Sequence, residues 1–282
     1  MSLKSFKTPL RYPGGKSRAC TKMDPYFPDL RNYTEFCEPF LGGGSVAIHV
    51  AKKYPHLKIT VNDLYEPLIN FWVQLQQFGS ELTDTIRNYK STHPNPDSAK
   101  ELFLECKNRI NDKSLDCIER AAAFYIVNKC SFSGLTESSS FSKQASISNF
   151  SMRGIEKLPQ YSEIVSHWHI NQYSYEHLME NVHDGLFMYL DPPYDIKIPI
   201  YGKRGEMHKY FDHDKFAEDC NKSEIDMMIS YNSSQIIKDR FKDWNVAEYD
   251  LTYSMRTTGD YMVDQAKRKE LLLFNYTPLS VC

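Results

Sequence analysis

The first 80 positions contain two short apolar stretches, each followed by a segment with helical spacing. Thr34–Cys37 predicts a strand, and Ser45–Lys53 predicts a helix that begins after a glycine-rich turn. Lys58–Asn62 alternates around two β-branched residues and predicts a second strand, and Pro67–Phe78 predicts the next helix. This order of strand, helix, strand and helix is typical of a parallel sheet.

The middle of the chain interrupts this pattern. Residues 81–127 predict several helices, of which Asp116–Asn128 has the clearest apolar face. Ser131–Ser151 contains nine serines and predicts a loop or hairpin region. We therefore expect residues 80–155 to form a mostly helical subdomain that is inserted into the sheet domain.

The alternation of strands and helices returns in residues 156–282, which together with residues 1–79 predict one α/β domain. Its clearest element is Leu186–Leu190, a wholly apolar run that predicts a buried strand. Further strands are predicted at His167–Ile170, Met227–Ser230 and Leu271–Asn275, with a helix after Ser233 between the last two.

The net charge and its distribution exclude few classes of protein. The 282 residues have a net charge of −2, but residues 1–60 hold ten Lys and Arg against four Asp and Glu. This local excess of positive charge suits a nucleic-acid-binding face, although a solvated surface would have the same composition.

Cysteine usage and hydropathy point to the inside of a cell. The seven cysteines show no Cys-x-x-Cys spacing, the N-terminal segment has no apolar signal region, and no apolar run has the length of a membrane span. We expect reduced thiols and a cytoplasmic, intracellular protein without a membrane partner, for which a viral or phage origin is one option.

Asp191-Pro192-Pro193-Tyr194 directly follows the predicted strand Leu186–Leu190. Ligands of open α/β sheets bind at the carboxyl ends of strands, so the tetrapeptide lies where a ligand is expected. The prolines stiffen the chain and remove two backbone donors, which leaves carbonyl groups free to accept hydrogen bonds. A carboxylate, a carbonyl and an aromatic ring together suit a planar base with an exocyclic amine. An ordinary surface turn is the alternative interpretation.

The chemistry of adenine explains this combination. The lone pair of N6 is delocalised into the ring, so N6 is a weak nucleophile. Asp191 and the carbonyl of Pro192 would accept its two hydrogens and draw it toward tetrahedral geometry, while Tyr194 would stack on the base. Positive charge develops on N6 in the transition state, where a nearby carboxylate stabilises it. We therefore predict Asp191, Pro192 and Tyr194 as catalytic residues.

A glycine-rich connection, Glu38–Ser45, joins the first predicted strand to its helix. It matches neither the dinucleotide-binding fingerprint nor a P-loop. Glycines allow the backbone to approach a ligand closely, and Asp63 ends the next strand, where an acid can bind ribose hydroxyls. The two features predict an adenosine-containing cofactor. A tight turn followed by a solvated aspartate is the alternative.

Two basic segments accompany these motifs. Arg11–Lys16 could place its lysine against a carboxylate and its tyrosine against a flat or sulfonium-bearing ligand. Lys203 and Arg204 lie in a basic, aromatic-rich segment at 197–209, which suits phosphate contacts beside a flipped base. An exposed basic loop would explain either segment equally well.

Together, and in this order, the motifs resemble the DNA adenine methylase (Dam) family, the D12 or alpha class of N6-adenine methyltransferases. The resemblance extends from about Thr8 to Tyr276 and rests on Gly-Gly-Lys, Glu-Pro-Phe with its glycine turn, an inserted recognition region and Asp-Pro-Pro-Tyr. It implies a Rossmann-like α/β sheet, S-adenosylmethionine as the methyl donor, and double-stranded DNA from which the adenine is flipped.

The resemblance also implies roles for individual residues. The methyl donor would contact the N-terminal arm, the glycine turn and two strand ends, through Tyr12, Lys16, Phe40, Gly42, Gly44, Asp63 and Asp191. DNA would contact the arm, the recognition region and later basic segments, through Arg11, Asn128, Ser131, Ser133, Glu137, Arg153, Lys203, Arg204 and Arg256. Ser230–Asn232 resembles the strand end behind the pocket for the target base.

One position departs from the family pattern. Members that recognise GATC have Phe-Asn-Gly-Leu, one further residue and then an arginine that contacts guanine, whereas here Phe132–Thr136 is followed by Glu137. A carboxylate accepts hydrogen bonds from cytosine or adenine amines and cannot donate to guanine O6 and N7. We therefore expect a short target other than GATC, recognised by a loop at about Ser131–Arg153.

Other substrates remain open on the residues alone. Cytosine-N4 enzymes use similar amine chemistry but more often have Ser in place of Asp191. RNA-adenine and protein-glutamine methyltransferases have related tetrapeptides, the latter usually with Asn first. A cytosine-C5 enzyme would need a Pro-Cys nucleophile, a dipeptide that this sequence lacks. A catalytically silent DNA-binding module is the alternative from another class, but it would have no reason to keep Lys16, Asp63, Asp191 and Tyr194.

Neither a metal site nor a stable assembly is expected. His167, Trp168 and His169 have no Cys or carboxylate partners at ligand spacing, so a packed strand is the better interpretation. A monomer or weak dimer suits an enzyme that recognises an asymmetric site or acts processively.

Overall fold

The centre of the fold is a seven-stranded sheet. The computed structural model describes residues 7–12, 14–134, 137, 139–180, 182–194, 211–250 and 269–278. The strand order is β3-β2-β1-β4-β5-β7-β6. The strands are β1 (Glu35–Glu38), β2 (Lys58–Asn62), β3 (His169–Asn171), β4 (Leu186–Leu190), β5 (Asp226–Asn232), β6 (Asn245–Asp250) and β7 (Lys269–Phe274).

Helices connect these strands and cover the sheet. In the described part of the chain they are α1 (Cys20–Met23), α2 (Ser45–Lys53), α3 (Glu66–Gln77), α4 (Gly79–Thr92), α5 (Pro96–Arg109), α6 (Cys117–Cys130), α7 (Lys143–Ser148), α8 (Met152–Ile155), α9 (Leu158–Val165), α10 (Tyr175–Met179), α11 (His213–Lys222) and α12 (Gln235–Arg240).

The direction of the strands places the site. Strands β1 to β5 run parallel, and β7 is antiparallel to its neighbours β5 and β6. All five residues of β4 are buried, as expected for a strand covered on both faces. The carboxyl ends of β1, β2 and β4 therefore meet at one edge of the sheet, where ligands of open α/β sheets bind.

The regular elements of the α/β domain are largely as predicted. Ser45–Lys53, Lys58–Asn62 and Leu186–Leu190 have the predicted bounds, and the other predicted strands are present with bounds that differ by one or two residues. Strand β6 was not predicted, because Asn245–Asp250 has polar residues on both faces and only one neighbouring strand, β7. Sequence alternation is weak in such an edge strand.

The serine-rich segment Ser131–Ser151 is more regular than its composition predicts. Ser131 and Phe141 form an antiparallel bridge, consistent with a hairpin, but Lys143–Ser148 is a helix. The hydroxyl of Ser142 caps this helix by accepting a hydrogen bond from the backbone N–H of Ala145 at 3.2 Å. The serines here act partly as helix caps, which composition alone cannot distinguish from loop residues.

The helical segment after β2 packs on the sheet domain through α3 and α6. The rings of Phe71 and Tyr125 stack with centroids 5.9 Å apart. Arg120 on α6 donates hydrogen bonds to both carboxylate oxygens of Glu66, at 2.8 and 2.6 Å. Phe71 and Tyr125 belong to the same hydrophobic core as Phe36 of β1. The helices thus share a core with the sheet, and the division into two domains stays a prediction.

No helix in the described part of the chain combines the length and the apolar character of a membrane span.

Candidate active site

A left-handed glycine turn forms one wall of the candidate site. Gly42 and Gly44, between β1 and α2, have φ values of +47° and +68°. A Cβ atom at Gly42 would lie 2.9 Å from Cε1 of Tyr12, and one at Gly44 would lie 2.9 Å from Cζ2 of Trp72. Tyr12 therefore packs directly on the turn, and only glycine fits both the backbone conformation and the space.

Two acids follow strands β1 and β2 beside this turn. Asp63 is buried and accepts hydrogen bonds from the backbone N–H groups of Gly42 at 2.9 Å and Tyr65 at 3.0 Å. Burial raises the pKa of Asp63, although these hydrogen bonds oppose the shift. Glu38 accepts from the N–H of Ala47 in the first turn of α2 at 2.7 Å, and burial raises its pKa well above the usual range.

Asn62 links the loops around Asp63 to one another by hydrogen bonds. Its amide nitrogen donates to the carbonyl oxygens of Pro39 and Tyr173, each at 3.0 Å, and its amide oxygen accepts from the N–H of Tyr173 at 2.7 Å. Its backbone carbonyl accepts from the N–H of Leu41 at 2.8 Å. The segments that follow β1, β2 and β3 are therefore fixed relative to one another, as a preformed ligand site requires.

The tetrapeptide after β4 meets the N-terminal arm. Lys16 donates hydrogen bonds to both carboxylate oxygens of Asp191 at 2.8 Å and to the hydroxyl of Tyr194 at 2.8 Å. A further hydrogen bond runs from Lys16 to the carbonyl of Gly14 at 3.1 Å. The lysine side chain is only 3% exposed. The arm and the tetrapeptide thus form one cluster, although they are far apart in the sequence.

Glu270 on β7 completes the cluster and was not predicted. The hydroxyl of Tyr194 donates to Oε2 of Glu270 at 2.6 Å, and the same oxygen lies 4.0 Å from Nζ of Lys16. Glu270 is 2% exposed and lies opposite Asn232 of β5 and Tyr249 of β6. A charged residue directly before the buried run Leu271–Leu273 was a signal that could have revealed it.

The charges in this cluster shift one another. Burial raises the pKa of Asp191, and the ammonium of Lys16 opposes that shift. Burial likewise raises the pKa of Glu270, with Lys16 again opposing. Burial disfavours the charged form of Lys16, but the carboxylates of Asp191 and Glu270 outweigh it and raise the lysine pKa well above its usual range. The lysine therefore stays protonated between the half-buried Asp191 and the buried Glu270.

These elements enclose a cleft with about 600 Å³ of empty space, including its open mouth. Six of the seven residues predicted to contact the methyl donor line it together, namely Tyr12, Lys16, Phe40, Gly42, Asp63 and Asp191. Gly44 lies behind the turn against Trp72. Glu38 also lines the cleft and was part of the predicted motif without being assigned a role.

The arm is also attached to the predicted recognition region. Asn128 accepts from the backbone N–H of Arg11 at 2.9 Å and donates to the Arg11 carbonyl at 2.6 Å. The guanidinium of Arg11 donates to the carbonyl of Ser131 at 2.7 Å. Asn128 and Ser131 are fully buried, so in this arrangement they support Arg11 and do not face solvent. Gly134 packs against the same arm, since a Cβ there would lie 2.7 Å from the Arg11 carbonyl oxygen.

Of the remaining predicted DNA contacts, the structure describes Glu137, Arg153 and the backbone of Ser133. The carboxylate of Glu137 accepts hydrogen bonds from the hydroxyl of Tyr65 and from Asn111. Arg153 is exposed on α8. Ser133 lies in a short 3₁₀ turn, Phe132–Gly134. Lys203, Arg204 and Arg256 lie outside the described residues, as does the basic segment at 197–209.

The histidine-containing strand does not gather metal ligands. Trp168 is buried just before β3, and His169 at its start is exposed. Within the residues that the structure describes, no group of three or more His, Cys, Asp and Glu side chains could hold a metal ion.

The seven-stranded sheet with this cleft at its carboxyl edge is consistent with a Rossmann-like methyltransferase. The chain belongs to the family of D12 class N6 adenine-specific DNA methyltransferases, whose sequence model matches residues 12–255. It is therefore an adenine-specific DNA methyltransferase with a methyl donor and DNA as substrates.

Relatives of known type support this assignment. The chain is 25% identical to the type II methyltransferase M1.LlaDCHI of Lactococcus lactis subsp. cremoris, over 94% of both chains. It is 24% identical to M.MjaIII of Methanocaldococcus jannaschii, over 98% of this chain and all of that one. The chain is 20% identical to M.CviBI of Paramecium bursaria Chlorella virus NC1A, over 95% of this chain and 98% of that one. These names show site-specific enzymes, without determining the target of this chain.

Among solved structures, the rRNA methyltransferase aviRa of Streptomyces viridochromogenes aligns with 94% of this chain and 86% of its own. The TM-score is 0.36 at 10% sequence identity, too low to carry an argument about function.

Proposed function

We propose that the chain transfers the methyl group of S-adenosylmethionine to N6 of an adenine that is flipped out of a short duplex target. The observation that carries this proposal is the cluster of Lys16, Asp191 and Tyr194 at the end of β4, directly beside the cleft of the glycine turn. A donor in the cleft and a base on Tyr194 would meet at the Asp191 carboxylate.

The residues of the cleft fit the donor chemically. Asp63 would accept hydrogen bonds from ribose hydroxyls, and the glycine turn lets Tyr12 pack closely beside the cleft that would hold the nucleoside. The aromatic faces of Tyr12 and Phe40 suit an adenine ring or a sulfonium group. The ammonium of Lys16 lies in the same cleft and could pair with a carboxylate of the donor. When bound, the donor supplies an electrophilic methyl group.

The tetrapeptide would then activate the amine. Asp191 and the carbonyl of Pro192 would accept the two N6 hydrogens, so that the lone pair becomes available for in-line attack. Tyr194 would stack on the flipped base. As the new bond forms, positive charge grows on N6 and is stabilised by the Asp191 carboxylate. The extra proton leaves N6 late and goes to solvent.

We further propose that residues 80–155 form the part that recognises DNA, with the arm beside it. Arg11, Ser133 and Arg153 would contact DNA, while Asn128 and Ser131 would hold Arg11 in position. The basic residues Lys203, Arg204 and Arg256 would contact phosphates. The names of the type II relatives favour a modification enzyme of a restriction system. We propose that it acts as a monomer or weak dimer.

One experiment tests the proposed reaction. The purified protein is incubated with labelled S-adenosylmethionine and unmethylated, mixed-sequence duplex DNA, and the digested nucleosides are identified by mass spectrometry. We expect N6-methyladenine with the wild type and none with Asp191→Ala. N4-methylcytosine would contradict the choice of base, and a label confined to RNA added in parallel would contradict DNA as the substrate.

A further inference from the structure

The reaction proposed above gives no part to Glu270. Its carboxylate is almost completely buried in β7, the strand between β5 and the edge strand β6. A buried carboxylate is costly unless it is paired. Its partner by hydrogen bond is the hydroxyl of Tyr194, at 2.6 Å, and the ammonium of Lys16 lies 4.0 Å away. Glu270 therefore belongs to the catalytic cluster by contact.

The cluster holds two acids and one lysine. Lys16 donates to both oxygens of Asp191, so its ammonium compensates the charge of the carboxylate that should accept from the adenine amine. Each oxygen has a further lone pair for the amine, but the carboxylate can stabilise positive charge on N6 fully only if the ammonium is paired elsewhere. Among the described residues Glu270 is the second carboxylate near Nζ, and the hydroxyl of Tyr194 lies between the two, accepting from Lys16 and donating to Glu270.

We propose that Glu270 is a positioning residue that pairs with Lys16 when the target adenine binds to Asp191. This inference rests on the proposed function. In that state one N–H of Lys16 pairs with Glu270 while the others can still serve the donor, and the negative charge of Asp191 is left to face the amine. The nitrogen that gains positive charge in the transition state would then meet an uncompensated carboxylate. Without Glu270, Lys16 would remain on Asp191 and neutralise it.

Two variants separate the charge of Glu270 from its shape. Glu270→Gln keeps an oxygen that can accept from Tyr194 but removes the charge, whereas Glu270→Asp keeps the charge on a shorter side chain. Glu248→Gln is the matched control, because Glu248 is an exposed glutamate on the adjacent strand β6, paired with Lys238. All three are compared with the wild type in single-turnover methylation of the target duplex at saturating labelled S-adenosylmethionine.

Removal of the charge should slow methyl transfer by roughly 10²-fold, the lower end of the loss seen when one preorganised electrostatic partner is removed. Glu270→Asp should recover most of the rate, and Glu248→Gln should match the wild type. Two further measurements should not change in Glu270→Gln. One is the affinity for S-adenosylhomocysteine, by calorimetry. The other is the fluorescence increase of 2-aminopurine at the target adenine, since this base has no 6-amine and reports flipping alone.

The possible results distinguish a failure of the role given to Glu270 from a failure of the proposed function. If the wild type methylates and Glu270→Gln is as fast, or if Glu270→Asp is as slow as Glu270→Gln, the role given to Glu270 is wrong. If Glu270→Gln loses donor binding and flipping together with the rate, the residue is structural and the inference is also wrong. If the wild type itself does not methylate adenine in DNA, the proposed function fails and this inference fails with it.

Discussion

The ammonium nitrogen of Lys16 lies 2.8 Å from each carboxylate oxygen of Asp191, although 175 positions separate the two residues in the chain. The contact joins the glycine-rich arm before β1 to the tetrapeptide after β4. In the proposed reaction the lysine serves the methyl donor and the aspartate serves the base. The donor and the base would therefore each meet one partner of the same ion pair. Substitution of Lys16 should mainly affect binding of the donor, and substitution of Asp191 should mainly affect the base.

Replacement of Asp191 by Asn should abolish most of the activity. Asn keeps the size of the side chain but removes the charge that stabilises N6 in the transition state, so the single-turnover rate should fall roughly 10²–10³-fold. The control is Asp184→Asn, an exposed aspartate just before β4. A rate within a factor of two of the wild type for Asp191→Asn would show that the carboxylate is not required.

Replacement of Gly44 by Ala should weaken donor binding and destabilise the fold. Alanine at a φ of +68° is strained by about 1–2 kcal/mol, and its Cβ would lie 2.9 Å from Trp72. The matched control is Gly154→Ala, where the nearest atom to the new Cβ lies 3.4 Å away and the backbone is helical. Donor affinity from calorimetry and the midpoint of urea unfolding should decrease for Gly44→Ala alone. Equal behaviour of the two variants would contradict the turn as a tight wall of the site.

The contact between α6 and α3 should stabilise the protein. Arg120→Met removes two charged hydrogen bonds to Glu66 and one to the carbonyl of Ile110, and it should lower the free energy of unfolding by about 1–3 kcal/mol. The lower part of that range is favoured because the Glu66 side chain is one-third exposed and stays hydrated without its partner. Arg31→Met, which removes a solvent-exposed pair with Asp29, should leave the unfolding midpoint unchanged. A protein whose stability does not change in Arg120→Met would count against this contact.

The pH dependence of methyl transfer should report the half-buried Asp191. Burial raises the pKa of this carboxyl, so its acidic limb should lie at higher pH than that of an exposed aspartate. The ionised form is the hydrogen-bond acceptor, so the rate should increase with pH as the proton is lost. Because Lys16 opposes the rise in pKa, Lys16→Met should move the limb to still higher pH. Single-turnover rates at saturating donor would check this, and a limb that moves to lower pH would contradict it.

Target preference gives a prediction about sequence recognition. Glu137 cannot donate to guanine, and its carboxylate accepts from Tyr65 and Asn111. Plasmid DNA methylated by the enzyme should therefore remain sensitive to restriction enzymes that cut unmethylated GATC, and should be protected at a different short site. Complete protection of GATC sites would show that another residue replaces the missing arginine.

Much of the α/β framework could be predicted from the sequence. Ser45–Lys53 and Leu186–Leu190 were predictable because their apolar residues follow a single period and their ends coincide with glycine or proline. The strands also fixed which motifs lie together, since parallel strands present their carboxyl ends at one edge. The convergence of Asp63 and Asp191 on one cleft follows from that geometry, whereas Tyr12 and Lys16 reach the cleft from the arm before β1.

Other features required the folded structure. Glu270 enters the cluster because β7 runs antiparallel between β5 and β6, a strand order that local periodicity does not encode. The hydrogen bonds between Lys16 and Asp191 were not predicted either. In the prediction from sequence, Lys16 pairs with a carboxylate of the ligand and Asp191 with the adenine amine. Strand β6 and helix α7 were missed because a polar edge strand and a serine-capped helix have weak apolar patterns.

The two hydrogen bonds between Asn128 and the arm have a consequence for how such an enzyme can change. Both bonds reach backbone atoms of residue 11, so the arm stays attached to α6 whichever side chain position 11 carries. Position 128 has no such freedom, since its side chain must both accept and donate within a buried space. The side chain at position 11 can therefore vary without detaching the arm, whereas a change at position 128 would remove both bonds that hold it.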